Sequence, residues 1–201
     1  MLKFKIFLLL IVFFQLKTFA QNEHRSLVDG NAFYKKKDFD KASAEYQKVL
    51  QVNRNSVKGN YNLGNARYEK SDYDKAIEGF TNAANLSKDN DVKAKAFYNL
   101  GNAYFKKEKY EEAVNAYKNS LRLVPDDTDT KNNLAQTLKI IRKNQPPPQQ
   151  QKNDEPPPKQ EEQENKDEVD RMLDMMDNKD KKTQENKRNP PSKKRKPEKD
   201  W

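Results

Sequence analysis

Three glycines set a register that the rest of the chain follows. Gly30 opens Gly30-Asn31-Ala32-Phe33-Tyr34, then come Asp38-Phe39-Asp40-Lys41-Ala42, Tyr46 and Val49. Gly64 stands 34 residues later in Leu63-Gly64-Asn65-Ala66-Arg67-Tyr68, followed by Asp72-Tyr73-Asp74-Lys75-Ala76, Phe80 and Ala83. Gly101 stands 37 residues beyond that in Leu100-Gly101-Asn102-Ala103-Tyr104-Phe105, followed by Tyr110-Glu111-Glu112-Ala113, Tyr117 and Ser120, closing at Pro125. Self-similarity at a period of this size marks a stack of supersecondary units, each unable to bury its apolar face alone. A Gly inside a helix costs about 1 kcal/mol relative to Ala. Three in register therefore point to close helix packing: the glycine admits a second helix, the alanine twelve residues on is its small partner, and the aromatic after it fills the space. A helical bundle with glycine at its turns would not repeat small, aromatic and small residues in one order three times.

This order resembles the tetratricopeptide repeat, a helix hairpin. The resemblance implies an all-α fold, a short right-handed α-solenoid over residues 23–144. Its repeats run over about 23–56, 57–93 and 94–127. The three extra residues before the third repeat fall in Ser87 to Lys95, where Asp89, Asn90 and Asp91 predict a lengthened turn. Downstream, Leu134, Leu138 and Ile141 recur at helical spacing, with Ile140 beside them. The polar positions Lys131, Asn132, Gln136, Lys139 and Arg142 predict a capping helix over 129–143, as terminal repeats require. Leu134 and Ala135 occupy the leucine and glycine slots of a fourth first helix whose partner does not follow.

In such a stack the first helices line a groove that usually holds an extended peptide. Counted from each glycine, the groove slots are Leu27, Tyr61 and Tyr98, then Asn31, Asn65 and Asn102, then Tyr34, Tyr68 and Phe105. Each asparagine amide offers a donor and an acceptor to a bound backbone, and the aromatics offer contact area at low entropy cost. These aromatics equally suit packing against the next helix. Relatives that clamp a C-terminal carboxylate place Lys or Arg where this chain has Leu27, Tyr61 and Tyr98, which argues against that mode. Lys58 and Lys95, near the starts of their helices, favour an acidic ligand.

The catalytic classes are poorly supplied. Cysteine is absent and His24 is the one histidine, which removes thiol nucleophiles, thiolate metal sites, disulfides and His-rich zinc sites. No paired carboxylates or nucleophile-base arrangement can be read, so no catalytic residue, metal or cofactor is expected. The formal net charge of +9 divides unevenly: +3 over residues 1–20, +6 over 21–144 and zero over 145–201. Residues 1–20 have Lys3 and Lys5, an apolar run from Ile6 to Phe14, and Thr18-Phe19-Ala20 before Gln21. That is the layout of a secretory signal peptide, and a nine-residue run falls short of the roughly 20 residues that span a bilayer. The expectation is cleavage after Ala20 and a periplasmic protein of net charge +6. The alternative is an uncleaved anchor that holds the rest of the chain in the periplasm.

From residue 145 the composition changes. Pro146-Pro147-Pro148, Gln149-Gln150-Gln151 and Pro156-Pro157-Pro158 favour extended spacers, and no aromatic residue occurs before Trp201. Low hydrophobicity with high charge predicts disorder over 145–201. Within it, Val169, Met172, Leu173 and Met176 form the apolar stripe of an amphipathic helix over about 167–178. Acids precede it and lysines follow it, as the helix dipole favours. A helix this short is marginal alone, so it is expected to fold against a partner. Residues 154–180 carry −7 and 181–201 carry +6. The adjacent acidic block and the export segment argue against reading Lys193-Lys194-Arg195-Lys196 as a nucleic-acid signal. Trp201 beside basic residues suits a partner pocket or an anionic membrane surface.

With Met172-Leu173-Asp174-Met175-Met176, Lys181-Lys182-Thr183-Gln184 and the ending Lys194 to Trp201 added, the chain resembles the BatC-type tetratricopeptide proteins of the Bacteroides aerotolerance operon. That resemblance implies an envelope complex with von Willebrand A-domain membrane proteins and a MoxR-type ATPase, linked to oxidative-stress tolerance. The function expected is a non-enzymatic exported scaffold. Its alternative is a periplasmic chaperone or secretion-assembly factor that holds client peptides.

Overall fold

The computed structural model describes residues 21–144. The export segment and everything after Asn144, including the Met/Leu stripe and Trp201, lie outside the described residues. Among those described there are seven helices and no strand. The first, α1, covers residues 21–35. Then follow α2 (Phe39–Val52), α3 (Val57–Glu69), α4 (Tyr73–Leu86), α5 (Asn90–Lys106), α6 (Tyr110–Leu123) and α7 (Thr128–Asn144).

Local chemistry sets where these helices start. Asp38 accepts from Lys41 N at 3.2 Å ahead of α2, Ser56 accepts from Gly59 N at 3.2 Å ahead of α3, and Asp89 accepts from Asp91 N at 2.9 Å ahead of α5. Asp127 does the same for Asp129 N at 3.0 Å at the start of α7. Each satisfies backbone donors that a helix start leaves without a partner. Ser56 also donates to Glu23 Oε1 at 2.8 Å, which ties α3 to α1.

Each hairpin turns through one left-handed residue: Lys37, Ser71 and Glu108, with φ of 60°, 60° and 59°. The turns close with Asp38 N donating to Phe33 O, Asp72 N to Arg67 O and Lys109 N to Tyr104 O, at 2.9–3.0 Å. This is the C-terminal cap that glycine usually provides, here made by residues that carry a Cβ.

Packing within the hairpins follows the glycine register. A Cβ on Gly30 would lie 2.6 Å from Tyr46 Cε1, one on Gly64 2.8 Å from the Phe80 ring, and one on Gly101 2.5 Å from Tyr117 Cε1. The rings occupy the volume that the missing side chains release, and Tyr46, Phe80 and Tyr117 are each 1% exposed. Ala42, Ala76 and Ala113 are fully buried. The core also runs across the repeats: Ala76 and Phe80 of α4 cluster with Leu100 and Ala103 of α5 and Ala116 of α6. Two further glycines serve contacts that the register does not show. A Cβ on Gly59 would meet Val49 Cγ1 at 2.8 Å, and one on Gly79 would meet the Asn60 carbonyl oxygen at 2.8 Å. The latter brings α4 onto the backbone of α3.

The three extra residues do not lengthen a turn. The α4–α5 connection is Ser87–Asp89, shorter than the Asn53–Ser56 connection between α2 and α3. The insertion is absorbed as helix, so α5 begins eleven residues before Gly101 whereas α3 begins seven before Gly64. Asp89 acts as the expected cap, and propagating a helix from that cap gains a hydrogen bond for each residue fixed. The capping helix is present. In α7, Leu134, Ala135 and Leu138 are buried, Ile140 and Ile141 are half-buried, and Asn132, Gln136, Lys139 and Arg142 are exposed.

Gly101→Ala tests the glycine–ring contact. Overpacking a close-packed site costs about 1–3 kcal/mol, against about 1 kcal/mol gained in helix propensity. The net loss is expected to lower Tm by about 5 °C in thermal unfolding followed by circular dichroism. An unchanged or raised Tm would show that the ring moves aside freely.

Candidate functional site

The first helices of the repeats, α1, α3, α5 and α7, bring the groove asparagines into contact with a second set. Asn62 Nδ2 donates to Asn31 Oδ1 at 3.1 Å, Asn99 Nδ2 to Asn65 Oδ1 at 3.1 Å, and Asn133 Nδ2 to Asn102 Oδ1 at 2.9 Å. Each bond joins one first helix to the next. Phenols from the second helices and from the first helices complete the rungs. Tyr46 Oη donates to Asn31 Oδ1 at 2.7 Å and Tyr117 Oη to Asn102 Oδ1 at 2.8 Å. Asn99 Nδ2 also reaches Tyr61 Oη at 3.0 Å, and Asn133 Nδ2 reaches Tyr98 Oη at 3.3 Å.

Asn31, Asn65 and Asn102 are therefore half committed. Their carbonyl oxygens are taken by the neighbouring repeat rather than held open for a ligand. Asn65 also lies beside the Tyr61 phenol and opposes the rise that burial gives its pKa. Among the described residues, the Nδ2 groups of Asn31 and Asn102 donate to no acceptor. Asn62, Asn99 and Asn133 are the residues that reading the glycine register overlooked. They stand two positions before Gly64, Gly101 and Ala135, so their shared offset was available as a signal.

The aromatic rows divide in the same way. Tyr34 packs edge-on against Phe39 at 5.3 Å between ring centroids, Tyr68 against Tyr73 at 5.4 Å, and Phe105 against Tyr110 at 5.6 Å. Such pairs contribute about 0.5–1.5 kcal/mol beyond area burial, and here each one closes the turn of its own hairpin. Tyr61 packs edge-on against Phe80 at 5.9 Å and Tyr98 lies tilted against Tyr117 at 6.2 Å. Leu27 joins the cluster of Ala42, Tyr46 and Ala66. All five of these groove aromatics keep part of their surface exposed, while Lys58 and Lys95 are exposed outright. Tyr68, Asn102, Phe105, Asn133 and Gln136 line an open cavity of about 220 Å³ over Tyr117.

Burial raises the phenol pKa of Tyr34, Tyr61 and Tyr68, pushes Tyr46 up to about 12 and moves Tyr117 further in the same direction. At neutral pH these phenols are thus neutral hydrogen-bonding groups. The site offers amide donors, phenol edges and two flanking ammonium groups, a set suited to holding a polypeptide non-covalently.

Residues 94–127 match the model of the tetratricopeptide repeat, and residues 30–71 match a second model of the same repeat. These segments are tetratricopeptide repeats. The tetratricopeptide fold typically serves as a non-enzymatic scaffold for protein–protein interaction. Among curated proteins none is significantly similar to the chain. Among solved structures, the TPR domain of Arabidopsis OM64 is 25% identical with a TM-score of 0.56, over 60% of this chain and 98% of that one. The TPR2AB domain of yeast Sti1, in a complex with pHSP90, is 27% identical with a TM-score of 0.55, over 62% and 49%. The first TPR of Spaghetti (RPAP3), bound to an HSP90 peptide, is 23% identical with a TM-score of 0.57, over 61% and 94%. This last likeness is one of fold alone.

Two outcomes test the rungs. Asn102→Ala leaves the Tyr117 hydroxyl without its acceptor and the Asn133 amide with Tyr98 Oη alone. It is expected to destabilise by about 1–3 kcal/mol, measured by urea unfolding, whereas Tyr117→Phe, which reproduces the natural Phe80, is expected to cost less. The Tyr46 phenol is held neutral in the folded state up to about pH 12, while in the unfolded chain it ionises near 10. Above pH 10 the unfolded state therefore binds fewer protons, and stability falls as pH rises through this window. Unfolding midpoints measured from pH 8 to 11.5 should show the fall, and Tyr46→Phe should reduce it.

Proposed function

We propose that this protein is an exported, non-enzymatic adaptor. The groove formed by the first helices takes an extended segment of one partner, and the segment after residue 144 takes another. The observation that carries the groove reading is the set of rungs at Asn31, Asn65 and Asn102. Their acceptors lock the repeats together, and at Asn31 and Asn102 an amide donor is left on the same face as partly exposed aromatic rings. A backbone carbonyl needs such a donor, and the rings supply contact area at low entropy cost. Among the structural neighbours, the complex of the yeast Sti1 TPR2AB domain with pHSP90 supports the same use of the fold.

The BatC-type resemblance supports a cell-envelope setting. There the partners are von Willebrand A-domain membrane proteins, working with a MoxR-type ATPase in aerotolerance or oxidative-stress resistance. The chain after residue 144 acts as a tether that raises the local concentration of the second partner. Val169, Met172, Leu173, Met176 and Trp201 are its contact residues, and Trp201 also gives peripheral membrane contact.

One feature favours a second reading. Amide donors pair with any peptide backbone and read no side chain, which suits a chaperone or secretion-assembly factor that holds many clients.

Affinity capture from the cell envelope separates the two. The full chain is expected to enrich a defined von Willebrand A-domain protein, and a chain ending at residue 144 is expected to lose it. Enrichment of many unrelated polypeptides, retained by the shortened chain, would favour the client-holding role. If no von Willebrand A-domain protein is enriched by either form, the envelope assignment falls.

A further inference from the structure

The early start of α5 changes the groove at one place. The added turn carries Val92 to the flank of α3, where Val57, Tyr61 and Val92 wall an apolar notch of about 150 Å³. The notch is open to solvent, and its volume is near that of a cavity that accepts a benzene-sized group, room for one large apolar side chain. Lys58 and Lys95 line the same notch. They occupy the same slot, six residues before the glycine, in successive repeats.

These two ammonium groups differ from the lysines on the hairpin turns. Lys70 pairs with Asp40, Lys107 with Asp74, and Lys75 with Asp72. Lys58 and Lys95 are exposed and make no ion pair among the described residues. The notch thus joins an unfilled apolar seat to two uncommitted positive charges. The two features lie within one residue's reach of each other.

We propose that this notch reads an internal peptide segment in which one large apolar side chain is flanked by carboxylates. The apolar side chain enters between Val57, Tyr61 and Val92, and the acids on either side pair with Lys58 and Lys95. The proposal rests on the groove reading above and gives it the side-chain selectivity that amide rungs lack. It requires no free C-terminus, because side-chain carboxylates on either side of the apolar residue supply both charges. Charge complementarity of this kind sets partner choice and the rate of encounter more than raw affinity.

The test uses the full chain and a fluorescein-labelled acetyl-Glu-Asp-Leu-Asp-Glu-amide probe, whose amide removes any terminal carboxylate. Fluorescence anisotropy at low ionic strength is expected to show saturable binding that weakens with added salt. Lys58→Glu with Lys95→Glu should weaken it by about tenfold or more. These are exposed positions, and circular dichroism checks that the variant stays folded. Replacing the probe's leucine by alanine should weaken binding by about fivefold or more, which reads the apolar seat without altering the protein. Binding unaffected by charge reversal, equal binding of the alanine probe, or no binding of the leucine probe would each overturn the proposal. Failure of the groove reading is read separately. It falls if Asn31→Ala with Asn102→Ala leaves capture of the envelope partner unchanged, whatever the notch does.

Discussion

The contact on which the described helices depend is that between a glycine in the first helix of each hairpin and an aromatic ring in the second. Gly30, Gly64 and Gly101 meet Tyr46, Phe80 and Tyr117 at distances that leave no room for a methyl group. The close approach seals each ring from water. It also determines which faces of the first helices remain for neighbouring repeats. Two of the rings carry a hydroxyl that reaches through to an asparagine on that face. The same contact thus organises both the apolar core and the polar rungs on the groove side.

The rungs change what the groove is. An asparagine row read on its own is a set of open amides, each with a donor and an acceptor. In the structure the acceptor half of each amide fastens one repeat to the next, so inter-repeat cohesion and ligand binding share the same side chains. In a stack whose units are stable only with their neighbours, such sharing couples the two. A ligand that reoriented one of these amides would also loosen a joint. The ion pairs Lys70–Asp40 and Lys107–Asp74 add a second, exposed fastening between successive repeats, of the kind that contributes little individually.

Much of this was legible in the chain. The glycine register, the buried alanines, the three rings and the capping helix all follow from residue types at fixed offsets, because steric exclusion by a Cβ is local and repeats faithfully. The asparagines at 62, 99 and 133 were equally periodic. Their meaning depends on which face of a helix meets the next repeat, which a single period does not show. The roles of Gly59 and Gly79 were hidden for a related reason: each serves one particular contact and has no counterpart in the other repeats. Asp89, Asn90 and Asp91, as turn formers, point to a turn for the insertion before Gly101. The same residues start helices, and the cap at Asp89 prevailed. That choice of helix over turn is also what put Val92 beside Val57.

Ala135 stands where the earlier repeats have glycine, at the point in α7 where another ring would have to sit. It carries the methyl group that Gly30, Gly64 and Gly101 lack, and no aromatic residue follows it before Trp201. With no ring to admit, this position is free of the steric demand that excludes a Cβ in the three repeats, and Ala135→Gly would give up helix propensity with no packing gain in return.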